Sequence, residues 1–431
     1  MARKNVFLVG LDEFNRETLA SLPAQEECEF HAALTLDEMR GDHALTIPEM
    51  VERARDRMKK VPGGPAGIAS FFDFPGTILA AYLAHEFDLP GPGIEPVLKC
   101  EHKYWSRLEQ QKVVGDFIPA FRVFDPLAEG DIYAGLGLVP PFWIKPIKSF
   151  RSFLAFAIQD ERQFQAALEQ VREKGGDITD AFGQVMELCD APEEFRSMRE
   201  TFIAESPISG AQCTLECYAH NGQIVTYGVV DSVREPDGPS FSRYEYPSML
   251  PLEVQHRLMD VTRTFMQAIG FENGCFNVEF FYDQTADNVW LLEVNPRPSQ
   301  SHADLFHKVH GQSHFALMID LALGRKPRPL LRQGQSNVAA HFFVRSHEPG
   351  IVAQAPTRAA LERLARRQPT TRIKLEVKRG DDLRDLSVQD SYSFELANVY
   401  IGGRDRLDIL DKYDEVLTAL QFEIEGQVTV G

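Results

Sequence analysis

Trp290-Leu-Leu-Glu293-Val-Asn295-Pro-Arg297 reads as a strand that stops at a proline and ends on an arginine. Side chains alternate across a strand, so Glu293, Asn295 and Arg297 share one face while Leu292 and Val294 point into the core. The stretch before it, Phe276-Asn277-Val278-Glu279-Phe280-Phe281, places Asn277 and Glu279 on one face and apolar residues on the other. Joined as a hairpin across the polar turn at 283–288, the strands bring Glu279 opposite residue 292 or 293. An even register sets Glu279 beside Glu293. Two carboxylates and an amide oxygen held together suit a hard divalent cation such as Mg²⁺, which keeps waters and is completed by substrate phosphates. A neighbouring arginine suits charge developing on a transferring phosphoryl group. The competing reading is a solvent-facing strand with idle polar residues. The proline weighs against it, because it ends the strand and fixes where Arg297 projects.

Upstream, four stretches carry further chemistry. Cys100-Glu-His-Lys103-Tyr-Trp-Ser-Arg107 is followed by Gly115-Asp-Phe-Ile-Pro119. Phe142-Trp-Ile-Lys145-Pro146 is an apolar strand closed by a lysine. Phe202-Ile-Ala-Glu205 leads through Ser-Pro to Ser209-Gly210-Ala-Gln212. Lysines neutralise phosphates as point charges, although an isolated lysine is more often a solvated surface group. Glu205, alone, reads as a strand-end carboxylate.

Together with the 276–297 hairpin, these landmarks resemble the ATP-grasp enzymes over roughly residues 5–325, and most resemble the carboxylate–amine ligases that join amino acids or peptides. The resemblance implies an α/β chain with α+β character in its nucleotide-binding half. It implies an N-terminal open parallel-sheet domain (1–98), an ATP-grasp domain (99–330, with a lid at about 141–206) and a C-terminal α+β region (331–431). It implies ATP and two Mg²⁺ ions, for which Mn²⁺ substitutes. Lys103, Lys145 and Glu205 take the nucleotide-binding positions, Glu279, Glu293 and Asn295 the metal positions, and Arg297 the catalytic one. The activity implied is activation of a carboxylate as an acyl phosphate and its capture by an amine, with release of ADP and phosphate. The partners it implies are a small carboxylic acid and an amine, with amino acids the first choice, and homodimers are frequent in the family. A biotin-carboxylase-like or other ATP-grasp carboxylase is the enzyme alternative, and a non-catalytic nucleotide-binding protein is the other.

One departure from the family pattern stands out. Members often carry a glycine-rich loop after the strand lysine, whereas here the segment is Ile147-Lys-Ser149-Phe-Arg-Ser152-Phe-Leu-Ala-Phe156. Ser149 and Ser152 retain hydroxyls able to donate to phosphate, but backbone cradling is less permissive without glycine. After Arg297, Ser299 and His302 are placed for acceptor contacts. Arg345, on a strand face with His341 and Phe343, is a candidate for gripping a carboxylate. His307, His310 and His314 read as one helical face, with no Cys or His-Glu pairing to make a transition-metal site. Asp12, Glu13 and Asn15 follow the first strand at the end where α/β sheets bind ligands.

Composition frames these readings. The 431 residues carry 45 Lys and Arg against 63 Asp and Glu, a net charge of -18, which repels nucleic acid and anionic membranes as a whole. No stretch approaches the ~20 apolar residues of a membrane helix. Six cysteines at 28, 100, 189, 213, 217 and 275 form no CxxC pair, and with no signal peptide evident the expected compartment is the reducing cytoplasm. Residues 5–9 read as a buried parallel strand, 13–21, 47–59 and 76–86 as helices, and 61–67 as a loop. A hairpin turn is expected at Asn221-Gly222. A helix over 161–173 ends at Lys174-Gly-Gly, and others run over 252–269 and 405–420. No GxGxxG follows the first strand, so a dinucleotide fingerprint is absent.

Overall fold

The run Val6–Val9 is completely buried, as its unbroken apolar sequence requires of a strand covered on both faces. It forms the middle of strand β1 (Lys4–Leu11), flanked in parallel by β2 (Cys28–Thr35) and β3 (Pro65–Ala69). The computed structural model describes residues 3–40, 44–148, 154–174, 176–198, 200–236, 238, 240–386 and 392–425. They divide into two compact units. The first holds the chain up to Tyr227, Pro251–Gln300 and Phe315–Arg328; the second holds Gly228–Leu250, Ser301–His314 and the chain from Pro329.

In the first unit the helices Glu13–Ala20, Ile47–Lys60 and Gly76–Glu86 follow the expected segments within a residue or so. Asp12 caps the first of them, accepting from the backbone N–H of Asn15 at 2.8 Å. The expected loop at 61–67 is shorter than its glycines and prolines suggest: β3 begins at Pro65, because a strand's first position tolerates proline.

A four-stranded antiparallel sheet follows, in the order β4 (Phe121–Phe124), β7 (Phe202–Glu205), β5 (Phe142–Pro146), β6 (Phe156–Ile158). Phe142, Ile144, Phe164, Leu168 and Phe202 close its core against the helix Glu161–Lys174. The helix ends at Lys174, as expected, and a second helix, Gly176–Leu188, follows. The segment with Ser149, Phe150, Arg151, Ser152 and Phe153 lies outside the described residues.

The third part of the unit is antiparallel, β8 (Ala211–His220) next to β11 (Gly274–Asp283) next to β12 (Asn288–Asn295). Asn221 and Gly222 turn β8 into β9 (Gln223–Arg234) with φ of 50° and 73°, the two positive values a tight hairpin turn needs. Phe276, Val278 and Phe280 are fully buried, as alternation predicts. On β12 the alternation breaks. Leu291 rather than Leu292 is fully buried, because a bulge inserts one extra residue between Leu291 and Glu293.

In the second unit the antiparallel order is β9, β10 (Phe241–Tyr246), β13 (Val338–Ser346), β16 (Phe394–Gly403), β15 (Thr371–Leu375). A short pair, β14 (Val352–Gln354) and β17 (Glu423–Ile424), lies beside it in sequence. Phe342, Val344, Val399 and Ile401 share a core with Ile409 and Val416 of the helix Arg406–Ala419. The helix Ala303–His310 stops at Gly311, whose φ is 81°, so His314 is off the helix and the expected three-histidine face does not exist. His310 and His314 instead both stack on Phe306.

Candidate active site

The register of the β11–β12 hairpin pairs Glu279 with Glu293 and Asn277 with Asn295. Glu279 accepts from Gln212 Nε2 at 3.0 Å and from Asn295 Nδ2 at 3.3 Å. Asn295 Nδ2 also donates to Asn277 Oδ1 at 3.1 Å, so its own Oδ1 is the atom left to accept a cation. Among the described residues no group of three His, Cys, Asp or Glu is arranged to hold a metal. Two carboxylates and an amide are instead a partial oxygen shell. That set fits Mg²⁺, which retains waters and borrows phosphate oxygens, and does not fit a closed structural zinc site.

Just past this pair, Asn277 Nδ2 donates to the carbonyl of Arg297 at 3.0 Å and fixes the backbone after Pro296. Ser299 follows, its N–H donating to buried Glu216 at 3.2 Å. The Arg297 guanidinium reaches Asp73 at 3.0 Å, in the loop after β3. Asp73 also lies 3.5 Å from Lys148, which pairs with buried Glu101, and Glu101 accepts from Thr77. Burial alone would raise the Asp73 carboxyl; Lys148 and Arg297 override it and hold the group well below the usual carboxylate range. The chain Arg297–Asp73–Lys148–Glu101 is therefore a row of alternating charges.

A second node lies at the end of β7. Glu205 is 4% exposed and is bonded at 2.5 Å by both Lys145 Nζ and Arg107 Nε. Burial pushes its carboxyl up, but the two cations dominate and bring it down to about 2. Antiparallel pairing sets Lys145 of β5 opposite Ile203 of β7, which is why the lysine reaches the glutamate two residues on.

Lys103 begins the helix Lys103–Val114, its N–H donating to the carbonyl of Ile147 at 2.9 Å. Burial pushes its ammonium down to about 8. Glu293 supports the charge while Lys148 and Lys145 oppose it. Lys103 and Lys148 interact electrostatically with Glu293, and Arg297 with Glu279, a concentration of positive charge suited to a polyphosphate with its cation. His102 caps this helix, Nδ1 accepting from Trp105 N–H at 3.2 Å; burial holds the ring neutral, with its pKa lowered to about 4.

The structure therefore brings together Lys103, Lys145, Glu205, Glu279, Glu293, Asn295, Arg297 and Ser299 within one unit. His302 and Arg345 belong to the second unit. His302 is buried with its ring edge-on to Tyr244. Arg345 is engaged by Glu395 at 3.3 Å, Ser393 Oγ at 3.0 Å and the Phe241 carbonyl at 3.1 Å. Asp73, Glu101 and Lys148 escape the sequence reading. Only the position of Asp73 past the carboxyl end of a parallel strand signals it.

Three comparisons bear on these features. Residues 138–303 match the family model of the ATP-grasp domain. A 137-residue stretch is 25% identical to the carbamoyl phosphate synthase large chain of Clostridium acetobutylicum, covering 31% of this chain and 12% of that protein. Among solved structures, the L-amino acid ligase of Bacillus licheniformis superimposes with a TM-score of 0.70 at 16% identity, over 99% of this chain and 100% of that one. The biotin carboxylase of Campylobacter jejuni does so at 0.67 and 15% identity, over 98% of this chain and 92% of that one. At such identities the structural likeness shows the fold, which is the ATP-grasp fold.

Proposed function

We propose that this chain, which carries an ATP-grasp domain, is an ATP-dependent carboxylate–amine ligase. The observation that carries the reading is the pairing of Glu279 with Glu293, flanked by Asn295 and Arg297, with the charges of Lys103 and Lys148 acting on Glu293. In this reading Glu279, Glu293 and Asn295 would hold two Mg²⁺ ions, whose charge would offset the negative charge that develops on the transferring phosphoryl group. Lys103 and Lys145 hold phosphates, and Glu205 orients Lys145 at the nucleotide. A carboxylate oxygen of the acid attacks the γ-phosphorus, the bond to the β–γ bridging oxygen breaks, and ADP leaves. Arg297 faces the negative charge on the transferring group. The amine nitrogen then attacks the acyl carbon, phosphate leaves, and the amine proton passes to solvent or phosphate.

The acid and the amine are small molecules, and amino acids are the first candidates, a choice supported by the full-length likeness to an L-amino acid ligase. Ser299, whose N–H donates to Glu216, is assigned to the acceptor side. The hydroxyls of Ser149 and Ser152 are assigned to the phosphates. The six cysteines are thiols rather than disulfides, which supports a reducing compartment such as the cytoplasm.

The test is ADP release with Mg²⁺ and ATP across amino acids offered singly and in pairs, with bicarbonate and biotin in separate wells. Release that requires a particular pair establishes the ligase. Release that requires bicarbonate and biotin replaces it with a carboxylase, and ATP binding without release under any condition replaces it with a nucleotide-binding protein.

A further inference from the structure

The hairpin holding Glu279 and Glu293 is irregular, and the irregularity decides whether the carboxylates meet. From Asp283↔Asn288 to Phe280↔Leu291 the ladder runs without interruption. It resumes one residue later at Glu279↔Glu293 and continues to Asn277↔Asn295, so Leu292 is the extra residue of a bulge. In an unbroken ladder Glu279 would face Leu292, and Glu293 would fall opposite Val278, on the face where Val278 is fully buried. The one-residue slip at Leu292 is what delivers Glu293 to Glu279.

A bulge disrupts the local ladder and leaves backbone groups to be satisfied elsewhere. Here one side chain takes both carbonyls flanking the slip. Arg107, 3% exposed, donates from Nη1 to Leu291 O at 3.1 Å and from Nη2 to Leu292 O at 2.7 Å. Two further donors are engaged: Nε on Glu205 at 2.5 Å and Nη1 again on Gln110 Oε1 at 2.5 Å. A single planar cation is thereby fixed by an anion on one edge and holds the bulge with the other. Glu205, in turn, carries Lys145.

We propose that Arg107 is a positioning residue that sets the register of the metal-binding hairpin and ties it to Glu205 and Lys145. The inference rests on the reading of Glu279 and Glu293 as metal ligands. Arg107 touches neither carboxylate; it acts through the peptide groups immediately before Glu293. Lysine cannot replace it, because one ammonium has neither the fork nor the reach to serve Glu205 and two consecutive carbonyls together.

The experiment uses the full chain and Mn²⁺ alone, without nucleotide, with free Mn²⁺ read by its paramagnetic resonance signal. Glu293→Gln is measured first. If it binds Mn²⁺ as the wild type does, the metal reading itself fails, independently of Arg107. Given loss of binding in Glu293→Gln, Arg107→Lys is expected to weaken Mn²⁺ about 10-fold or more, as removing the support of a ligand typically does. Unchanged affinity in a folded Arg107→Lys variant overturns the proposal. Deletion of Leu292 supplies the second test, and it stands even if Arg107→Lys alone does not fold. A regular ladder then pairs Phe280 with Leu291 and Glu279 with Glu293 directly, so Mn²⁺ binding should persist and no longer respond to Arg107→Lys. A merely structural ion pair between Arg107 and Glu205 predicts the opposite, with Arg107→Lys costing the same whether or not Leu292 is present.

Discussion

Lys103 makes the proposed nucleotide site titratable in an accessible range. Burial lowers its ammonium from the ordinary 10.5 to about 8, with Lys148 and Lys145 adding repulsion and Glu293 and Asp73 supporting the charge. A phosphate oxygen on the same ammonium adds an opposite charge and returns the pKa toward its ordinary value. The charged form binds, so affinity is full below pH 8 and falls as the pH rises through it. Between pH 7 and pH 9 the protonated fraction of the free site drops about tenfold, so Kd rises about tenfold, or roughly 1.4 kcal/mol. Binding at pH 9 should take up about 0.9 proton. The perturbation is Lys103→Arg, whose guanidinium stays charged throughout this range. The assay is titration calorimetry with a non-hydrolysable ATP analogue and Mg²⁺, in two buffers of different ionisation heat. The wild type should show the tenfold weakening and the proton uptake, and Lys103→Arg should show neither, while retaining any proton change that belongs to the ligand. Equal weakening in both proteins, or a flat wild-type profile between pH 7 and pH 9, refutes the assignment of this lysine to the phosphates.

Three further outcomes are expected. Buried His102 and His341, lowered to about 4 and about 3, favour the unprotonated fold, so their contribution is complete above pH 6.5 and is lost as the pH falls below it. At pH 5 each costs about 2 kcal/mol relative to pH 7.5, so His102→Asn, which keeps an N-cap acceptor, should lose about 2 kcal/mol less than the wild type in urea unfolding over that interval; equal losses would exclude His102 as a source. Gly210, at φ +125°, would place a Cβ 2.1 Å from the carbonyl oxygen of Tyr282, whereas Gly64 at φ +67° has open space around it. Gly210→Ala should therefore lower stability by about 2–4 kcal/mol, clearly more than Gly64→Ala by calorimetry. Arg297→Ala should reduce ADP release by about 10²–10³ at saturating substrates, and turnover that survives unchanged would remove Arg297 from the transition state.

What the sequence discloses here follows the range of the forces involved. Alternation along 276–281 and 290–297 is local, and it places Asn277, Glu279, Glu293 and Asn295 on one surface because every second side chain must. Burial of Phe276, Val278 and Phe280 enforces that placement, since a slip of one residue would drive carboxylates into the core. Asn221-Gly222 and Gly311 act through positive φ, again a property of single residues. Gly311 also shows the cost of extending a period too far, because it ends the helix before His314. The remaining features depend on partners remote in sequence. Arg297 meets Asp73 across 224 positions, and Lys148 meets Glu101 across 47. Neither pairing leaves a periodic trace, and Lys148 alone is indistinguishable from a surface lysine until a buried acid is found opposite it. The bulge at Leu292 combines both cases. Pattern alone leaves Glu279 facing residue 292 or 293 with equal right, and the choice is made by Arg107, 184 and 185 positions away from the two carbonyls it holds. The short-range pattern therefore supplies the chemical groups of this site, and a distant buried cation supplies the one-residue slip that makes a pair of them.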